Sequence, residues 1–118
     1  MAGIVAKGNV FTILIEEEPA GTIDVRPYPD GYRADIGLWI GERFHGQGAG
    51  TQAIQLICLH PSIQLKLEKL EAMIFEGNHG NRRAFEKNGF QLEGTIRIAV
   101  KKSGSYRNEW ILGLLRMG

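Results

Sequence analysis

The sequence lacks the residues that mark several common protein classes. Its 118 residues include one cysteine, Cys58, which excludes a disulfide framework and a cysteine-rich zinc or iron–sulfur site. No apolar run approaches the roughly 20 residues of a membrane span, and the N-terminal segment lacks the long apolar run of a secretory signal. A net charge of +1 gives the protein no strong positive electrostatic field that would attract a nucleic acid. We therefore expect a cytoplasmic protein with no metal site, nucleic-acid partner or membrane partner.

The domain organisation follows from what the chain contains. A length of 118 residues fits one domain, and the sequence carries no internal repeat, low-complexity tract or long linker. A chain of this size buries roughly two-thirds of its unfolded surface, enough to fold without cross-links. We predict a single domain over residues 1–118.

The first third of the chain is rich in β-branched and aromatic residues. Strands are predicted at Asn9–Glu16, Thr22–Arg26 and Tyr32–Ile40, the second from its strict apolar–polar alternation. Turns are predicted at Glu17–Gly21 and Pro27–Gly31, because each contains proline and glycine. Three strands joined by short turns predict an antiparallel meander.

The remaining two-thirds alternate between helical and strand patterns. The element order becomes β-β-β-α-β-α-β-β, which predicts an α/β (α+β) fold with a mixed, mostly antiparallel sheet flanked by helices. Asn78 is a good N-cap for the second helix, and Gly89 suits its end. The predicted elements are helices at Thr51–His60 and Asn81–Asn88 and strands at Lys69–Phe75, Gln91–Lys102 and Tyr106–Arg116.

A glycine-rich segment between a strand and a helix is the main functional signal. Gly46, Gly48 and Gly50 alternate along it, so main-chain N–H groups can approach a ligand closely. The first-turn amides of the following helix lack intrahelical acceptors, which predicts a phosphate or pyrophosphate at Gln47–Thr51. A tight turn that binds nothing is the alternative. The segment has neither the lysine of a P-loop nor the third glycine of a dinucleotide fingerprint.

Two motifs carry a family resemblance. Arg43–Gly48 (RFHGQG) resembles the Arg/Gln-x-x-Gly-x-Gly/Ala pyrophosphate loop of the GNAT superfamily of N-acetyltransferases, and Asn78–Phe90 is similar to its second signature. Ala34–Ile40 and Gln91–Thr95 resemble segments of the RimJ/RimL-type branch. The resemblance implies a GNAT-like fold and transfer of an acetyl group from acetyl-CoA to a primary amine, either a peptide N-terminus or a small amine.

The resemblance also implies a set of cofactor-binding residues. The main chain of Leu38–Ile40 would pair with the pantetheine arm, and one of its N–H groups would polarise the thioester carbonyl. Whether Asn78 only caps its helix, and whether Arg43 is only a solvated turn residue, stays open. The implied cofactor-binding residues are Leu38, Trp39, Ile40, Arg43, Gly46, Gln47, Gly48, Ala49, Gly50, Thr51, Asn78 and Arg83.

The sequence departs from the family pattern at the catalytic positions. Phe85 stands at the position where many members have the tyrosine that protonates the leaving thiolate. Met73 stands at the position that often supplies a glutamate base. Asp35, on the strand leading to the cofactor site, is the catalytic candidate, with a solvent-facing strand residue as the alternative. Other candidate acids and bases are Glu71, Glu76, His79, Tyr32 and Tyr106.

The family fold usually begins with a strand and two helices, and the residues before Asn9 are too few to supply them. Those helices normally form one wall of the acceptor site. Three hypotheses follow: an acetyltransferase completed by a second copy as a homodimer, a module that binds acyl-CoA without transfer, and a remnant without ligand affinity.

Overall fold

The computed structural model describes residues 2–64 and 66–116, which form one seven-stranded sheet with helices. The strands are β1 (Ala2–Lys7), β2 (Val10–Ile15), β3 (Glu18–Pro27), β4 (Arg33–Ile40), β5 (Lys69–Phe75), β6 (Gln91–Lys102) and β7 (Ser105–Leu115). The helices are α1 (Ala49–Leu59), α2 (Pro61–Gln64) and α3 (His79–Glu86), with a 3-10 turn at Glu42–Phe44.

The sheet has the order β1-β2-β3-β4-β5-β7-β6. Every neighbouring pair is antiparallel except β4 and β5, which are parallel and are joined through α1 and α2. This architecture confirms the predicted mixed, mostly antiparallel sheet flanked by helices. The sequence prediction lacked β1 and α2.

Both predicted helices begin two residues earlier than expected, at Ala49 and His79, and the differences among the strands lie at the first two hairpins. β1 occupies residues that we expected to supply no strand, and it reaches β2 through a tight turn in which Gly8 has a φ of +64°. The turn predicted at Glu17–Gly21 is wrong. The turn between β2 and β3 consists of Glu16 and Glu17, both with positive φ, and Pro19 lies inside β3. Positive φ at two consecutive residues gives the tight hairpin whose twist matches its strands.

The hydrophobic core lies on one face of the sheet, under α1 and α3. Ile23, Ile36, Leu70 and Leu112 point to this face, and each is at most 2% exposed. α1 contributes Ala53, Ile54 and Ile57, as the helical spacing predicted, and α3 contributes Ala84 and Phe85. Because side chains alternate along a strand, the intervening residues point to the opposite face.

That opposite face, called the open face below, is covered by no helix in the part of the chain that the structure describes. Its centre carries interleaved charged side chains. Asp35 pairs with Arg26 at 2.7 Å, and Glu71 lies 3.1 Å from Lys69 and 3.5 Å from Arg33. Around this centre lie exposed apolar side chains, at Val5, Val10, Trp39, Met73 and Ile96. Within residues 2–64 and 66–116 the sheet is therefore packed on one side only.

Among the described residues, no helix is both long enough and apolar enough to cross a lipid bilayer.

Candidate functional site

A gap opens between the two central strands of the sheet. β4 and β5 pair only over Arg33–Asp35 and Lys69–Glu71, although both strands continue beyond that point. The carbonyls of Leu38 and Ile40 turn into this gap. The Leu38 carbonyl accepts a bond from Asn81 Nδ2 at 3.4 Å, and the Ile40 carbonyl accepts one from His45 Nε2 at 2.8 Å. The gap thus presents strand main chain that β5 does not occupy.

The glycine-rich loop closes one end of this gap. Gly46 and Gly48 have φ values of +78° and +76°, a conformation that glycine adopts without steric cost. Gly48 is the N-cap of α1 and supplies no side-chain cap, so the amides of the first turn face the space beside the loop. Gly50 fits tightly, since a Cβ there would lie 3.1 Å from Leu38 Cδ2 and 3.6 Å from the Ala84 Cβ.

Helix α3 forms the other wall and is fixed at both ends. The Asn78 side chain accepts a bond from the Asn81 amide at 3.3 Å, which confirms the predicted N-cap. At the other end Asn88 Nδ2 donates to the carbonyls of Thr51 and Ala84, both at 3.0 Å. These bonds hold the C-terminal end of α3 against the first turn of α1.

The loop, the two helices and the end of β4 enclose a cleft of about 370 Å³. This space is called the cleft below. Nine residues that the family resemblance implied for cofactor binding line it: Leu38, Ile40, Gly46, Gly48, Ala49, Gly50, Thr51, Asn78 and Arg83. The structure therefore brings residues from three separate segments of the chain to one concave surface.

Three of the implied residues are not among those that line the cleft. Trp39 points to the open face and is 63% exposed. Arg43 pairs with Glu18 at 2.9 Å and stacks on Phe44, and Gln47 donates to the Arg43 carbonyl. Because side chains alternate along β4, Trp39 points to the face opposite that of Leu38 and Ile40, and this could have been predicted from the sequence.

Six further residues line the cleft without having been predicted as cofactor residues: Phe44, His45, Gly80, Asn81, Ala84 and Lys87. Three of them lie on α3, and Lys87 is its C-cap. Once α3 is known to begin at His79, the spacing of Gly80, Ala84 and Lys87 identifies one helical face. His45 gave no comparable signal, because its contact with the Ile40 carbonyl depends on the path of the loop.

The cleft has the electrostatic character of an anion site. The described residues that line it include no aspartate or glutamate, but they include the cations Arg83 and Lys87. Neither cation has a carboxylate within 4 Å among the described residues, although the neighbouring Arg82 pairs with Glu86 at 3.3 Å. The positive end of the α1 dipole adds to these two charges. The arrangement favours a ligand with several negative charges.

Asp35, the catalytic candidate, does not line the cleft and lies on the open face. Asp35 is the register partner of Glu71 in the β4–β5 ladder, at the point where the gap begins. Its Oδ1 atom is buried without a hydrogen-bond partner, while Oδ2 contacts Arg26. Burial raises the pKa of the Asp35 carboxyl, with Asp24 and Glu71 adding to the rise and Arg26 opposing it.

The other candidate acids and bases are dispersed. Glu71 is 6% exposed and bound to Lys69 and Arg33, while the His79 ring lies 5.5 Å from the Trp110 ring. Glu76 and Tyr106 line a second cavity of about 230 Å³ at the start of β7, and Tyr32 is exposed in the turn before β4. Phe85 is 1% exposed and packs edge to face on Phe90, so it serves the core.

The described residues contain no group of three histidine, cysteine, aspartate or glutamate side chains that could hold a metal ion.

Comparisons with known proteins agree with this geometry. The sequence profile of a family described as "Acetyltransferase (GNAT) domain" matches residues 2–91. "Probable N-acetyltransferase YjcK" of Bacillus subtilis is 34% identical over 82 residues, which cover 70% of this chain and 45% of the relative. "Ribosomal-protein-serine acetyltransferase" of Escherichia coli is 31% identical over 99 residues, covering 83% and 55%. The chain spans about half the length of these two relatives.

Solved structures show the same fold. A GNAT-family acetyltransferase from Bacillus anthracis superposes with a TM-score of 0.82 at 20% identity, covering 92% of this chain and 66% of the other. A RimL ribosomal L7/L12 alpha-N-protein acetyltransferase in complex with coenzyme A superposes with a TM-score of 0.83 at 24% identity, covering 90% and 60%.

Proposed function

Because the chain belongs to the GNAT acetyltransferase domain family, we propose that it binds acetyl-CoA in the cleft and transfers the acetyl group to a primary amine. The observation that carries this proposal is the cleft itself, where main-chain groups of β4 that do not pair with β5 meet the free amides of α1. The amides of Gly48–Thr51 would bind the diphosphate. The main chain at Leu38 and Ile40 would pair with the pantetheine amides, as an added strand does.

The proposed chemistry is direct transfer. The amine nitrogen attacks the thioester carbonyl carbon, the carbonyl oxygen takes up negative charge near a β4 amide, and the C–S bond then breaks to release CoA thiolate. The acceptor would approach from the open face, since the cofactor enters from the cleft. Asp35, beside the start of the gap, would take the proton that the amine loses. The thiolate would take its proton from water, since Phe85 has none to give.

The acceptor class is a peptide N-terminus or a small amine. The relative named as a ribosomal-protein-serine acetyltransferase supports the first. We further propose a cytoplasmic location, because the CoA thioester that the cleft would bind is made and consumed inside cells.

A thermal-shift and turnover experiment tests this proposal. Acetyl-CoA at 100 times its Kd should stabilise the fold by about 2.7 kcal/mol and raise Tm, and thiol release should require both acetyl-CoA and an amine. A raised Tm without thiol release across a panel of peptides and small amines would indicate a module that binds acyl-CoA without transfer. An unchanged Tm would indicate a fold without ligand affinity.

Asn78 allows its two candidate roles to be separated. Asn78→Ala should lower the free energy of unfolding by about 1 kcal/mol, because the Asn81 amide loses its cap. Asn78→Ser keeps a capping oxygen and should keep the stability. Both variants should bind acetyl-CoA more weakly if the Asn78 amide group also contacts pantetheine. Wild-type affinity of Asn78→Ser in calorimetry would limit Asn78 to capping.

We also propose that a second copy of the chain covers part of the open face and forms the outer wall of the acceptor groove. Val5, Val10, Trp39, Met73 and Ile96 are each 36% exposed or more on this one face. The largest extents of the molecule are 36 × 36 Å, which leaves room for the roughly 800 Å² per partner of a standard interface.

Sedimentation of the wild type and Trp39→Ser tests the homodimer. The wild type should have the mass of two chains at micromolar concentration. Trp39→Ser should have the mass of one chain, and it should transfer the acetyl group more slowly than the wild type. The mass of one chain at every concentration of the wild type would contradict this assignment.

A further inference from the structure

The cleft carries more positive charge than a diphosphate requires. The loop and first-turn amides of Gly48–Thr51, together with the α1 dipole, suit the two negative charges of a diphosphate. Arg83 on α3 and Lys87 at its C-cap add two full positive charges, four residues apart, and both line the cleft. Within the described residues, neither charge is neutralised by a carboxylate.

The packing of α3 fixes the main-chain positions of these two cationic residues. Ala84, between them, lies against Gly50 in the first turn of α1, and Asn88, next to Lys87, donates to the Thr51 carbonyl. Arg83 and Lys87 are therefore beside the diphosphate position, toward the C-terminal end of α3. Their side chains are exposed, so they can move toward a ligand without disturbing the core.

We propose that Arg83 and Lys87 form a second phosphate site, which binds the 3′-phosphate on the adenosine of CoA. This inference rests on the proposed function. A phosphate monoester carries close to two negative charges at neutral pH, which matches two cations that no carboxylate of the described residues pairs with. Its three free oxygens accept several charge-assisted hydrogen bonds. The cleft would then select CoA thioesters over 3′-dephospho-CoA and over pantetheine phosphates that lack the nucleotide.

Binding of CoA and of 3′-dephospho-CoA to the wild type and four variants tests the inference by calorimetry. Wild type should bind CoA about 10-fold more tightly than 3′-dephospho-CoA. In Arg83→Gln and Lys87→Gln the ratio should fall, and in the double variant it should approach one. Lys66→Gln is the matched control, since Lys66 is an exposed lysine between α2 and β5 that does not line the cleft. It should keep the wild-type ratio.

The outcomes separate this inference from the proposed function. Equal losses of affinity for both ligands in the double variant would assign the two cations to the diphosphate and overturn the 3′-phosphate site. A ratio near one in the wild type, with tight binding of both ligands, would also overturn it while leaving the proposed function in place. Failure of the wild type to bind either ligand would contradict both. The Tm of each variant shows that the fold is retained.

Discussion

Gly48→Leu is expected to weaken acetyl-CoA binding by about 100-fold or more, which corresponds to about 2.7 kcal/mol. Gly48 has a φ of +76°, a conformation that costs a residue with a side chain roughly 1–2 kcal/mol. A change of φ would reorient the loop amides, and a retained φ would place the leucine side chain where the diphosphate is proposed to bind. No atom of the described residues lies within 4 Å of the added Cβ, so the fold itself has room.

The matched control for this substitution is Gly31→Leu. Gly31 has a φ of +83° in the turn before β4, and in the part of the chain that the structure describes a Cβ there also has no atom within 4 Å. It therefore carries the same backbone penalty at a position outside the cleft. Both variants should lose similar amounts of stability in urea unfolding, but only Gly48→Leu should lose affinity. Equal affinities for acetyl-CoA would remove the loop from the binding site.

Asp35→Asn is expected to lower kcat/KM by about 100-fold or more, within the range that general-base catalysis contributes. A base must be ionised to accept a proton. Because burial raises the pKa of the Asp35 carboxyl, the rate should increase with pH through a range above that of an ordinary aspartate. This limb of the pH–rate profile should disappear in Asp35→Asn.

Stability should change in the opposite direction from activity. The pKa of Asp35 is higher in the fold than in the unfolded chain, so the fold binds the proton more tightly and loses stability as pH rises from the unfolded pKa through the folded pKa. At pH 7 a neutral asparagine removes that cost. The Tm of Asp35→Asn should therefore be at least that of the wild type, which would exclude unfolding as the cause of lost activity.

Asp24→Asn is the control for Asp35. Asp24 lies on the same face at 3.6 Å from the same Arg26, but on β3, away from the gap. It should keep most of the activity and the acidic limb of the profile. A wild-type rate for Asp35→Asn would assign the proton to another acceptor, and Glu71, which faces Asp35 across the strand pair, would be the next to substitute.

The sequence predicted the parts of this fold that depend on local chemistry. Lys69–Phe75 and Gln91–Lys102 have the predicted bounds, because β-branched and apolar residues fill them and turn residues delimit them. Asn78 caps α3 and Gly89 has a φ of +92°, as their residue types required. The glycine-rich loop lies where the strand-to-helix pattern placed it.

What the sequence could not predict depends on contacts between distant residues. The gap exists because β4 and β5 stop pairing after Asp35 and Glu71, and no local pattern marks that point. Among the residues that the structure describes, Lys87 has no carboxylate partner, and this depends on which side chains the end of α3 meets after folding. The segment 2–7 is short and apolar, and only its pairing with β2 makes it a strand. Tertiary partners decide such short segments.

The amide resonances of Gly48, Ala49, Gly50 and Thr51 during a titration with acetyl-CoA test the central claim most directly. If these main-chain groups donate to the diphosphate, their amide protons should shift downfield in two-dimensional NMR spectra and reach a plateau at one ligand per chain. Amides of the β3–β4 turn should not move. Saturation by acetyl-CoA with no change in these four resonances, or no saturation at all, would contradict the account.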